Sequence, residues 1–353
     1  MPDLLTRVAV TLGILAVYRL GAYLPLPGID AVVLAHLYQL NQGSPLGQWR
    51  ATIFALGVLP IISSLFIVEV ARLGSSRFNA WAGATGANAR RVDHGVLIGA
   101  LLLATVQAYG IAISLERGEG LVEEPGLQFQ LMVVSTLVAS TALLAWLASL
   151  ISRHGLGSGV WVLFLAPQIA ALPVFAVSIL ELVRTGVVST AGLVATVASV
   201  VIAVAALVGV AHPLILARMP LDRTLVWPLF IAAFPAGILV LVPELLPAGS
   251  TRDAVASLCN PGAPLYVAAL AVLVIAIALA QWRAAGLPTA AGLSTPVEPG
   301  GASPRLLTAL ILAAIAVAPQ VLTTRLGMPI LIDGRLIVVI VAVALAAQVL
   351  GRR

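Results

Sequence analysis

The chain has 353 residues, of which 61% are hydrophobic and 9% charged, and carries a formal net charge of +5; its mean hydropathy is +1.10. A soluble protein of this length has too little interior to hide so much apolar surface, whereas a polytopic membrane protein need not hide it. The single cysteine, Cys259, excludes an intrachain disulfide framework and a cysteine-based metal site, and His36, His94, His154 and His212 have no metal-ligand spacing.

Ten apolar stretches follow one another, each about 20 residues long, the length that crosses hydrocarbon. They run over residues 4–24, 52–73, 95–115, 127–150, 159–178, 190–211, 225–243, 264–282, 306–323 and 335–350. The first is too long for the apolar core of a signal peptide. Tyr-Leu-Pro-Leu-Pro follows it where a cleavage site would need small residues, so it reads as a retained span. Arg19, near its outer end, can snorkel to the interface.

The second stretch contains Ile53 to Ser64, IFALGVLPIISS. Gly57 and Pro60 in the middle of an apolar helix predict a kink, because proline removes a donor and glycine adds freedom. In lipid the freed groups need neighbouring helices or a cavity, so the segment lines something or is an ordinary kinked span. Glu69, near its inner end, is costly inside hydrocarbon. It reads as a solvated residue with Arg72, at i+3, as its partner.

Arginine orients the spans; there is no lysine. One set of connecting segments holds Arg7, Arg72, Arg77, Arg90, Arg91, Arg153, Arg218, Arg223, Arg283, Arg305, Arg352 and Arg353, with few acids. The alternate set is richer in acids, among them Asp30, Glu116, Glu123, Glu124, Glu244 and Asp253. This bias places both termini in the cytoplasm and supports an even number of spans. No acid–base or nucleophile constellation marks an enzyme, and no cofactor is expected. A small-solute transporter would need a polar midplane site, for which the spans offer only Gln107.

Four stretches resemble one family in the right order. IFALGVLPIISS is similar to the second transmembrane helix of the SecY/Sec61 protein-conducting channels. VYRLGAYLPLPGID (Val17 to Asp30) resembles the end of their first helix and the turn after it. SRHGLGSG, from Ser152 to the IAALP that ends at Pro173, resembles the start of the fifth, and NPGAPLYV (Asn260 to Val267) the approach to the eighth. The resemblance implies an all-α polytopic membrane protein of ten transmembrane helices in two pseudo-symmetric five-helix halves. These would be residues 1–178, with a short plug region at 36–50, and 185–353, joined by a periplasmic hinge at 179–184.

It also implies a site. Family members close an hourglass pore with a ring of bulky aliphatic side chains, which dewets and offers a passing chain no polar group. Carried over position by position, the ring is Val58 and Ile62, Val160 and Phe164, Gly237 and Ile337. Gly237 departs from the usual bulky aliphatic, and Ile238 would substitute after a small rotation. The lateral gate, through which segments leave into lipid, takes Ser63 and Gln107; its third polar position falls on Leu229, which makes the seam more apolar.

The inner loops at 212–224 and 283–304, where the family docks ribosomes and the SecA motor, are short, and the second is poor in charge and rich in Gly, Pro and Ala. Glu298 stands where the family has a functional arginine, a reversed charge that would repel an acidic partner surface. The expected function is therefore a SecY-like translocase channel subunit in the bacterial inner membrane. Its expected partners are a SecE-like subunit, room for a SecG-like one, and unfolded or nascent polypeptide, without SecA or ribosome docking. The alternative is a divergent paralogue acting as a dedicated insertase or scaffold; a small-solute transporter ranks last.

Overall fold

The computed structural model describes residues 2–30, 32–34, 51–118, 120–186, 189–216, 222–247, 249–261, 263–285 and 302–326. Among them the chain is helical, without strands: α1 (Pro2–Gly21), α2 (Leu59–Gly74), α3 (Ser76–Ala84), α4 (Gly86–Glu116), α5 (Leu127–His154) and α6 (Gly159–Arg184). There follow α7 (Thr190–Leu216), a π-helical turn (Asp222–Val226), α8 (Trp227–Leu241), α9 (Ser250–Cys259), α10 (Pro264–Ala285) and α11 (Ala302–Leu326). Among the described residues, seven helices are long and apolar enough to cross a membrane, or eight if the bent pair α2 and α3 is one span. In α11 the apolar run is shorter, Leu306–Ala318. The predicted tenth stretch, 335–350, lies outside the described residues, as does the whole of the expected plug region, 36–50. Large apolar side chains face outward along these helices, Leu102 at 65% exposure and Val106 at 71% on α4 alone. Such faces suit lipid and not water, and the protein is a multi-pass integral membrane protein.

Two compact units divide the chain. The first comprises Met1–Val68 and Ala89–Ser178. Its core gathers Leu26, Ile29 and Leu56 with Phe129, Val133 and Leu137 of α5 and with Ala104, Ala108 and Ala112 of α4. Ala100, Ala104, Ala108 and Ala112 recur every fourth residue, all fully buried. Small side chains at this spacing let helix backbones approach closely, the packing that holds spans together in lipid. Helix α5 packs along α1, and the loop after it is tied back to α1 by Leu156 N–H, which donates to Thr11 Oγ1 at 2.9 Å.

At one end of this unit the backbone is irregular, and its polar groups pair with one another. Leu26 N–H donates to Ala51 O at 2.8 Å, Ile53 N–H to Leu24 O at 3.0 Å and Asp30 N–H to Leu121 O at 3.0 Å. Tyr18 and Phe54 stack at 5.6 Å beneath these turns. Arg19 stays at this end, its Nη2 donating to Tyr23 OH at 2.6 Å.

The second unit comprises Glu69–Asn88 and Ile179–Arg353. Here α10 is the hub, packing on α8, α11 and the π-helical turn, with Val274 and Ala278 fully buried. Residues 179–184, expected as a hinge, continue α6 to its end, where Arg184 pairs with Glu181 at 2.8 Å.

Candidate functional site

The expected kinked helix at Ile53–Ser64 takes another form. Residues 51–58 are turns, and α2 begins only at Leu59. Gly57 sits in the left-handed region at φ +53°, which ends the turn; a glycine reaches that conformation without the usual penalty. Pro60 then falls in the first turn of α2, where its missing N–H deletes no helical bond. The two residues thus start the helix and do not bend it. Val58 precedes the helix, and its carbonyl accepts from Ile62 N–H at 3.0 Å. Val58 and Ile62 are both buried at 4% exposure.

The other predicted residues divide between the units. Val160 and Phe164 lie a turn apart at the start of α6, both half-buried, with Phe164 edge-on to Trp161 at 6.0 Å. Their placement depends on Gly159, where a Cβ would overlap the Ala148 carbonyl of α5. Gly159 N–H also donates to Ser152 Oγ at 2.8 Å. The SRHGLGSG run is therefore a corner in which α6 starts in contact with the α5 backbone. Ser63 and Gln107 are half-buried in the same unit.

In the second unit, Leu229 is buried in α8, while Gly237 and Ile238 are exposed farther along that helix. Ile337 and Glu298 lie outside the described residues.

Two contacts were not foreseen from the sequence. Ser64, the neighbour of the expected gate residue Ser63, donates from Oγ to Val96 O at 2.8 Å and joins α2 to α4. Glu69 is buried at 7% exposure, not solvated. Its Oε1 lies 3.6 Å from Arg72 Nε, the expected partner, and 3.3 Å from Arg223 Nε in the π-helical turn. The i+3 spacing carried the first contact; nothing local could have carried the second, which spans more than a hundred residues.

Comparison with known proteins places this geometry. The model of the SecY family matches residues 52–217. The protein translocase subunit SecY of Rickettsia bellii (strain RML369-C) is 32% identical over 219 residues, 58% of this chain and 51% of that protein. Its counterpart in Escherichia coli (strain K12) is 32% identical over 196 residues, 52% of this chain and 44% of that protein. The matches thus span about half the length of these relatives. Among solved structures, Sec61 in the canine ribosome–channel complex from the endoplasmic reticulum superposes with a TM-score of 0.58. That likeness covers 98% of this chain and 92% of that one at 13% identity, and shows the fold.

Proposed function

We propose, from the match of the SecY family model to residues 52–217, that the chain is a channel subunit of a protein translocase. It passes unfolded polypeptide across the membrane, or apolar segments sideways into it. The observation that carries this reading is the turn-then-helix form of the second span. Val58 and Ile62 stand at the seam of turn and helix, held by the Ile62 N–H to Val58 O bond, and present no polar side chain. An apolar constriction of this kind blocks ions by dewetting, yet gives a passing chain nothing to bind.

The ring is completed by Val160, Phe164 and Ile337, with Ile238 standing in for Gly237. Ser63, Gln107 and Leu229 belong to the gate seam. A SecE-like helix clamps the halves, with a SecG-like subunit as an optional addition, in a bacterial inner membrane with both termini cytoplasmic. The short, charge-poor loop at 283–304, with Glu298 in place of an arginine, favours work without SecA or ribosomes. The same loop supports the narrower reading of an insertase or scaffold for a few dedicated clients.

Photo-crosslinkers placed at Ile62 and Val160 in native membranes test the channel. Adducts with a nascent membrane protein are expected at both; their absence with every substrate tried would remove the reading. Restricted clients would show as failure to replace a full-length SecY despite normal accumulation.

A further inference from the structure

The charge cluster at the inner end of α2 belongs neither to the apolar ring nor to the predicted gate residues. Glu69, its side chain 9% exposed, faces two arginines. Arg72 follows on the same helix, whereas Arg223 stands in the π-helical turn that leads into α8. Thr224, Leu225 and Val226, next along that turn, are at most 1% exposed. The turn is embedded in its unit, and Arg223 extends its charge to Glu69 of α2.

We infer that Glu69 is a specificity-determining residue, whose bridge to Arg223 sets how apolar a segment must be before α2 and the start of α8 part. The inference rests on the channel reading above. A client shifts such a seam only by the difference between its contacts with the open and the closed state. An apolar client replaces apolar contact like for like. It cannot replace an ion pair. Separating Glu69 from Arg223 in a largely buried place is unfavourable by an amount that no apolar client offsets locally. The bridge therefore adds a fixed term to opening, and only a more apolar segment outweighs it. Arg72 travels with Glu69 on α2, so the carboxylate keeps one cation when the bridge opens. That makes the bridge breakable and not a permanent weld.

The test uses the full chain with Cys259→Ser, in native membranes for insertion and in lipid nanodiscs for distances. Spin labels at the exposed Val70 and Ala233 report the separation of α2 and α8. Test segments graded in leucine content report the threshold for insertion. Glu69→Gln and Arg223→Gln are expected to lengthen or broaden the label distance and to lower the threshold by about two leucines, given the small contribution of each leucine to insertion. The exchange Glu69→Arg with Arg223→Glu is expected to restore both. Should Glu69→Gln fail to accumulate, Arg223→Gln and the exchange still decide. Wild-type insertion of graded segments, with thresholds and distances unchanged in the variants, overturns the inference alone. So does an exchange that behaves like the single variants. No insertion by the wild type overturns the channel reading as well.

Discussion

At the scale of single residues, two glycines separate backbone strain from steric exclusion. Gly57 has a positive φ of +53°, yet an added Cβ would come no nearer than 3.8 Å to any neighbour. Gly57→Ala is therefore expected to lose only the left-handed penalty, about 1–2 kcal/mol, and Gly57→Asn less, since asparagine visits that region more readily. At Gly159 the obstacle is the Ala148 backbone, which cannot rotate away. Gly159→Ala should lose at least the roughly 1–3 kcal/mol typical of overpacking. Unfolding midpoints in detergent should rank the variants Gly57→Asn, Gly57→Ala, Gly159→Ala from mildest to most severe. A Gly159→Ala protein as stable as Gly57→Asn would contradict the close approach of α6 to α5. The sequence reading identified Gly57 and Pro60 as the residues that matter but misplaced their action. A glycine that ends a turn and one that kinks a helix look alike in an apolar run, and only the hydrogen bonds at Val58 tell them apart.

Between elements, α2 and α4 meet through a polar contact in an apolar setting. Ser64 Oγ reaches Val96 O, and a Cβ on Gly99 would sit 2.6 Å from that same Oγ. Ser64→Ala should weaken the pair by about 1 kcal/mol, as interhelical hydrogen bonds do in membranes. Gly99→Ala should cost more alone than in the Ser64→Ala background, because the obstructing oxygen is then gone; a double-mutant cycle on unfolding free energy reads the difference. Strict additivity would mean that the two residues do not touch. The helices themselves were legible in the sequence because lipid leaves a spanning backbone no partner but itself, so a long apolar run becomes a helix. Helix starts were less legible. The short helix α3 was missed altogether: it is neither long nor apolar, and is fixed by its Ser75 cap, which accepts from Phe78 N–H at 3.2 Å, and by a 116° bend from α2. The burial of Glu69 was missed for a related reason: its second cation is remote in sequence and brought there by packing.

For the whole molecule, the arginine pattern makes a directional claim. In a Cys259→Ser background, a cysteine at Ser76 should react with a membrane-impermeant maleimide only after the cytoplasmic side is opened. One at Glu123 should react from outside, and the reverse pattern would invert the assigned topology. The likeness to the SecY family was legible from the Ile53–Ser64 and Ser152–Gly159 runs because both hold backbone features that few sequences satisfy. No relation among the expected ring residues was legible, since they come from segments far apart in the chain. Helix α4 carries one consequence of its own. Its 31 residues extend to about 46 Å at the rise of an α-helix, well beyond a hydrocarbon core of about 30 Å. The excess is charged at both ends, with Arg90, Arg91 and Asp93 before the apolar stretch and Glu116 after it. Sliding this rod along the membrane normal would drag charge into hydrocarbon whichever way it moved. Helix α4 is thus a fixed post set to the thickness of the bilayer. Any shift of α2 along the membrane normal would have to be made by α2 alone, against the Ser64 contact.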